Sequence, residues 1–156
     1  MPSSEKQKVV PMLNDTYLAV IKNSIGSKLF RNLYAKVGGK KIDITENGNL
    51  SCAIFVSSIL VLFKLIKDVH ATVNGTVRDL KESSWVEIKK PKIGCILVWV
   101  EKDFGNGRLH KHIGFYIGKE KAISNDFRRG YPTKHDWKFR KIEAMFWNPI
   151  LNGRNK

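Results

Sequence analysis

Acidic residues are scarce in this chain. Only 14 Asp and Glu stand against 28 Lys and Arg in 156 residues, a formal charge of +14. That imbalance argues against anionic-surface behaviour and favours polyanionic partners such as nucleic acid, anionic lipid headgroups or an anionic cell wall, without choosing among them. Cysteine is scarcer still. With Cys52 and Cys95 alone, no disulfide framework of the kind that holds small secreted domains can be built. Long apolar runs are also missing. The most apolar segment, Cys52 to Phe63, contains Ser57 and Ser58 and stops at Lys64, short of the about 20 residues that a membrane-spanning helix needs. The opening MPSSEKQKVVPMLND has neither the apolar run nor the small-residue cleavage site of a secretory signal. It reads as cytoplasmic as written, or as exported under a leader outside this sequence. Internal repeats and low-complexity stretches are absent.

What is present is an ordinary globular composition, 42% hydrophobic and 27% charged, over a length that suits one domain with its own core. Residues 1–12 read as a flexible polar tail, 13–150 as a single domain, and 151–156 as a basic tail; a monomer is expected. Leu18, Ile21, Ile25, Leu29, Leu33 and Val37 recur at helical spacing, which predicts a helix capped by Asn14 or Asp15 and stopped at Gly38-Gly39. A second helix, from about Ser51 to Asp68, is apolar on nearly every side before Lys64 and belongs in the middle of the fold. A short helix is expected at TVRDLKES and an extended stretch at WVEIKKP. After Pro91 the texture turns to strands: IGCILVWV, then a Gly-Asn-Gly turn, HKHIGFYIG, KAISN, a basic aromatic loop and IEAMFW. Helices followed by an antiparallel meander of about four to six strands predict an α+β fold.

Cys52 falls in the first turn of the central helix. Unpaired N–H groups and the positive end of the helix dipole lie there and favour thiolate, the nucleophilic form. A buried free cysteine is equally a small hydrophobe, so the assignment needs a base. In HIGFYIG, His112, Gly114 and Tyr116 share one strand face while Ile113, Phe115 and Ile117 share the other. The glycine beside His112 leaves space for another group next to the imidazole. His110 lies on the same face in the turn region; a His110–His112 metal pair lacks further ligands at suitable spacing, and no metal or other cofactor is expected. The neighbouring strand KAISN offers Ser124, Asn125 and Asp126 as partners for the far ring nitrogen.

Together, YAKVGG (34–39), SCAIFVS (51–57), GCILVWV (94–100) and HIGFYIG (112–118) resemble the NlpC-type cysteine peptidases. These are papain-like enzymes that cut peptide bonds in bacterial cell-wall stem peptides. The pieces come in family order, and the resemblance spans roughly residues 15 to 126. It implies a papain-like fold in which a Cys-bearing central helix packs on the antiparallel sheet. It also implies Cys52 as nucleophile, His112 as general base, and Tyr34 with the Cys52 N–H as oxyanion donors. The third residue corresponds to Ser124 with Asn125 adjacent; Asn125 is favoured because an amide oxygen orients imidazole in papain-like sites. Ser51, Ala53 and Ile54 replace the family's Asp, Ser and Gly. A greasier surrounding of this kind raises a thiol pKa and reshapes the substrate groove. Cys95 takes the place of an Asp and reads as a buried small residue.

The loop FRRGYPTKHDWKFRK (127–141) carries Arg128, Arg129, Lys134, Lys138, Arg140 and Lys141 against Asp136, with Tyr131, Trp137 and Phe139 interleaved. Cations among aromatics suit a nucleic-acid groove, an anionic glycan or a substrate carboxylate. They equally suit a solvated loop pinned by its rings. Arg128, Arg129 and Trp137, with Ser51, are the expected substrate contacts; His135 lies in the same loop, where it could edge the site, and is not counted among them. The expected function is hydrolysis of a peptide or amide bond, with peptidoglycan stem peptides as the implied substrate. The alternative is a papain-like module, non-catalytic or acyl-transferring, that holds an anionic polymer such as cell wall or nucleic acid.

Overall fold

The periodicity that marks the first helix is real, but it ends early. In the structure, a computed structural model describing residues 5–103, 105 and 107–153, α1 runs from Leu13 to Asn23. It starts after Met12, not at an Asn14 or Asp15 cap, and Tyr17 and Ile21 are its buried residues. Residues 24–33 are turns and irregular backbone, and the last part of the expected helix is instead β1 (Tyr34–Val37), paired in a hairpin with β2 (Lys40–Asp43). Gly38 and Gly39 are its turn, at φ +57° and +78°. Two consecutive positive φ values are what a tight hairpin turn demands, and Gly-Gly supplies them without strain.

The central helix α2 (Cys52–Leu62) is shorter than expected. Lys64 adopts φ +56°, and the Leu65 N–H turns back to Leu60 O at 2.8 Å, closing the helix while keeping Leu65 and Ile66 buried. The expected short helix is α3 (Val73–Glu82), capped by the Thr72 side chain. Six strands follow: β3 (Val86–Glu87), β4 (Ile96–Asp103), β5 (Leu109–Gly118), β6 (Lys121–Asp126), β7 (Tyr131–Asp136) and β8 (Ile142–Trp147). They pair antiparallel in the order β3-β8-β4-β5-β6-β7. The fold is therefore α+β, as the element order predicts.

Three local readings change. The basic loop is not all loop, because its YPTKHD segment is β7, an edge strand. Pro132 is tolerated at such an edge, although it argues against a central strand. The C-terminal tail begins later than expected: Leu151 lies buried in a 3-10 turn (Pro149–Asn152), and Asn152 Oδ1 accepts from Trp147 Nε1 at 3.1 Å. The centre of the Gly-Asn-Gly turn, Asn106, lies outside the described residues, as do the ends of both tails.

The core forms where α2 meets the inner face of the sheet. Seven of the eleven α2 residues are buried, which matches a helix apolar on all sides. The inward face of β5 supplies Ile113 and Phe115, both fully buried. Phe115 meets Phe55 of α2 edge-on at 5.4 Å and Tyr17 of α1 at 6.0 Å. Tyr17 OH donates to Gly94 O at 2.8 Å, so its one polar atom is satisfied inside the core. Among the described residues no helix is long and apolar enough to cross a membrane.

Candidate functional site

The approach to Cys52 is built by one carboxylate. Asp43 Oδ1 accepts from the Leu33 and Thr45 backbone N–H groups, each at 3.1 Å; Oδ2 accepts from Asn47 N–H at 3.0 Å and Asn32 Nδ2 at 2.6 Å. The loop after β2 is therefore wound around Asp43. Thr45 Oγ1 and Ser51 Oγ both donate to Arg31 O, at 2.6 and 3.1 Å. This loop docks on the turn that follows β6. A Cβ on Gly48 would stand 2.5 Å from Gly130 Cα, so the two backbones cross where no side chain fits. Arg31 bridges the crossing, donating to Gly130 O at 3.2 Å and Arg129 O at 2.9 Å. Cys52 follows as the first residue of α2, with the buried helix behind it.

Cys52 and His112 line the same cavity, of about 790 Å³, together with His110, Ser124, Asn125, Arg128, His135 and Arg140. One ring nitrogen of His112 is held by a chain of side chains. His112 Nε2 lies 2.8 Å from Ser124 Oγ, and Ser124 Oγ lies 2.6 Å from His135 Nε2. His135 Nδ1 lies 2.7 Å from the backbone carbonyl of Asp136.

The last contact sets the direction of all three. A carbonyl oxygen only accepts, so His135 Nδ1 carries the proton, and in the neutral ring Nε2 accepts. The Ser124 hydroxyl then donates to His135 and accepts from His112 Nε2–H. His112 is left with its lone pair on Nδ1, the tautomer a base needs at that atom.

Sheet register brings these groups together. Gly114 pairs with Ser124 across β5 and β6, and Trp99 pairs with His112 across β4 and β5. The Trp99 ring lies under His112 at 5.3 Å and is itself held by Nε1 donating to Trp137 O at 2.8 Å. Phe139 packs edge-on against both imidazoles, at 5.8 and 4.6 Å. A Cβ on Gly114 would come within 2.7 Å of Ser124 Cβ and 3.0 Å of the Trp99 ring. The space beside the imidazole that the glycine predicts is filled by Ser124 and Trp99.

Burial dominates the electrostatics. It pushes the Cys52 thiol up to about 11, against the Ile113 and Ala53 backbone N–H groups and the charge of Arg140, which pull it down. The direction agrees with the greasy Ala-Ile sequence that follows it. Burial, then the charges of Arg140 and His135, pushes His112 down to about 3. His135 is lowered as well, again mainly by burial. Cys52 and His112 therefore rest as neutral thiol and neutral imidazole at neutral pH.

Of the residues singled out from sequence, Cys52, His112, Ser124, Asn125 and Arg128 meet at the cavity. Asn125 does not orient His112: its Nδ2 donates to Gly48 O at 2.7 Å, tying β6 to the Cys52 approach, and Ser124 takes the ring nitrogen. Tyr34 is exposed on β1 with Lys41 over its ring at 5.2 Å, outside the cavity lining. Ser51 is fully buried against Arg31 and is structural. Arg129 points to Asp126 at 3.9 Å, and Trp137 packs on Tyr116 at 5.2 Å; neither lines the cavity.

No protein-family model matches this chain, and no curated protein matches it. The site therefore stands on its geometry. Two members escaped the sequence reading. His135 belongs to β7, and the alternation of Tyr131, Thr133 and His135 was the available signal, masked by Pro132 and the surrounding charges. Arg140 was one cation among six. It is partly buried, donates from Nη1 to Val100 O and His110 O at 3.3 and 3.4 Å, and its charge acts on both Cys52 and His112. Those carbonyls flank an irregularity in the β4–β5 register between Trp99 and Lys102, a device that commonly re-aims groups beside a site. Among the described residues no three His, Cys, Asp or Glu side chains are grouped to hold a metal ion.

Proposed function

We propose that the chain is a cysteine hydrolase with a papain-like, NlpC-type arrangement, acting on a peptide or amide bond in cell-wall stem peptides. The observation that carries this reading is the directional His112–Ser124–His135 chain, which leaves the imidazole lone pair on Nδ1 of a ring that shares a cavity with Cys52. A solvated or merely structural histidine has no need of a two-residue relay that defines its tautomer.

In the proposed reaction the Cys52 sulfur attacks the amide carbonyl carbon while His112 Nδ1 takes the thiol proton. Both groups start neutral, so proton transfer accompanies C–S bond formation rather than preceding it. Ser124 Oγ holds the Nε2–H of the imidazolium as charge develops. The tetrahedral oxyanion faces the Cys52 backbone N–H at the start of α2, where no intrahelical acceptor exists. Arg140, rather than Tyr34, adds positive charge. Collapse breaks the C–N bond, His112 returns its proton to the leaving amine, and a thioester remains. His112 then takes a proton from water, whose oxygen attacks the thioester; the acid is released and the thiol re-forms.

Digestion of purified peptidoglycan tests this reading. The wild type is expected to release new amino termini, while Cys52→Ala and His112→Gln release none. Release by Cys52→Ala at the wild-type rate would overturn it.

A non-catalytic module is favoured by the surroundings of Cys52 and His112, whose burial pushes the thiol up and the imidazole down. If wild type and Cys52→Ala bind cell wall equally and neither cuts it, that reading stands instead.

A further inference from the structure

The hairpin Tyr34–Asp43 takes no part in the chemistry proposed above, yet it is built as a separate object. It forms its own two-stranded sheet, apart from the six-stranded one. Isolated two-stranded hairpins are marginal in water, and this one is secured at its base by the Asp43 carboxylate and by Ile44 N–H donating to Leu33 O at 2.9 Å. Its tip projects into open space: a Cβ added at Gly38 or Gly39 would meet no atom within 4 Å.

The exposed side chains of the hairpin are of two kinds. Lys36, Lys40 and Lys41 are all exposed. Val37 is 51% exposed, Ile42 42% and Tyr34 61%. Register pairs Val37 with Lys40 and Lys36 with Lys41, so three cations and a valine lie within two residues of the turn. The acid at the base, Asp43, is engaged by Asn32, Leu33, Thr45 and Asn47 and does not neutralise the tip. Single exposed aliphatics are unremarkable. Three lysines around an exposed valine at a projecting tip, with Ile42 and Tyr34 exposed further down the hairpin, are a pattern that suits a membrane interface. There, apolar groups enter the headgroup boundary, an aromatic ring sits at its level, and lysines reach anionic phosphates.

We infer that the hairpin docks end-on onto an anionic lipid surface, with Val37 leading and Lys36, Lys40 and Lys41 at the headgroups. Two residues of strand carry the tip about 7 Å inward, which matches the shallow depth of interfacial binding. Charge complementarity with the net +14 of the chain selects an anionic surface over a neutral one. Because the loop wound on Asp43 leads directly from β2 to Cys52, docking there would present the cavity at a defined height above the lipid.

Co-sedimentation of the full chain with vesicles tests this, independently of any hydrolase activity. Vesicles of phosphatidylcholine alone are compared with vesicles containing phosphatidylglycerol. Wild type is expected to bind only the anionic vesicles, with binding weakened by salt. Lys36→Glu/Lys40→Glu/Lys41→Glu should lose most of it, on the order of fivefold or more per lysine. Val37→Asp, which removes no lysine and lowers the net charge by only one, should weaken binding severalfold. A control triple, Lys89→Glu/Lys90→Glu/Lys119→Glu, changes the net charge equally at exposed sites elsewhere and should retain most of the binding. If the control loses as much as the hairpin triple, overall charge alone binds the vesicles and the inference fails. It also fails if Val37→Asp binds like wild type while soluble heparin competes fully, since the hairpin then reads a polyanion and not a bilayer.

Discussion

His112 Nε2 lies 2.8 Å from Ser124 Oγ, and that contact defines which imidazole nitrogen is basic. Ser124→Ala is expected to leave the fold intact, because alanine fits the same strand position opposite Gly114. It should lower kcat on an amide substrate by about a hundredfold or more with little change in KM, the scale of a misdirected general base. His135→Gln should lower kcat less. Steady-state kinetics of the two variants, with circular dichroism as the folding control, checks both.

The resting thiol of Cys52, pushed up to about 11 by burial, predicts slow alkylation at neutral pH. Labelling by iodoacetamide should rise about tenfold per pH unit from neutrality toward pH 10, because thiolate is the reacting species. Arg140 pulls the thiol down, so Arg140→Gln should move the rise to higher pH. A fast plateau reached below pH 8 in the wild type would contradict the buried, neutral thiol.

Two groups predict a staged loss of stability in acid. His112 is held at about 3 when folded against an unfolded value near 6.5. The unfolded chain therefore binds the proton more readily, and stability falls as pH drops from about 6.5 toward 3. Asp79 is held at about 2: burial pushes it up, but His70 at 2.6 Å, the Lys67 and Asp68 N–H groups and Ser83 outweigh that. Its contribution is complete above about pH 4 and is lost as pH falls toward 2. Thermal melts across pH should show both stages, and His112→Gln should reduce the upper one, leaving the share from His135, without changing the lower.

Asp79 also ties the segment after α2 to α3. Its carboxylate is buried and fully engaged, so Asp79→Ala leaves the part-buried Lys67 and Asp68 N–H groups and His70 without their acceptor. The expected cost is about 2–4 kcal/mol in denaturant unfolding.

Gly114→Ala places a methyl 2.7 Å from both Ile123 O and Ser124 Cβ. Backbone cannot yield cheaply there, so a loss of about 1–3 kcal/mol is expected. Activity should fall further than stability alone explains, because the displaced residue is Ser124. Comparing kcat well below the melting midpoint separates the two effects.

The fold class, the buried central helix and the strands from β4 to β6 were legible in the sequence. Each rests on a local rule: helical periodicity, an uninterrupted apolar run, or alternation along a strand. The inward set of Ile113 and Phe115 follows from period two alone. Where local rules compete, tertiary packing decided. The segment from Tyr34 to Val37 continues a helical pattern, yet Gly38-Gly39 serves a hairpin turn as readily as a helix stop. Only the tie from Leu33 to Asp43 settles it. Likewise Ser124 and Asn125 are adjacent in sequence, but pleating sends one to His112 and the other to Gly48. His135 and Arg140 join the cavity because β7 folds back on β6 and because β4 is irregular beside Val100. Those are long-range contacts, and no window of sequence around either residue contains their partners.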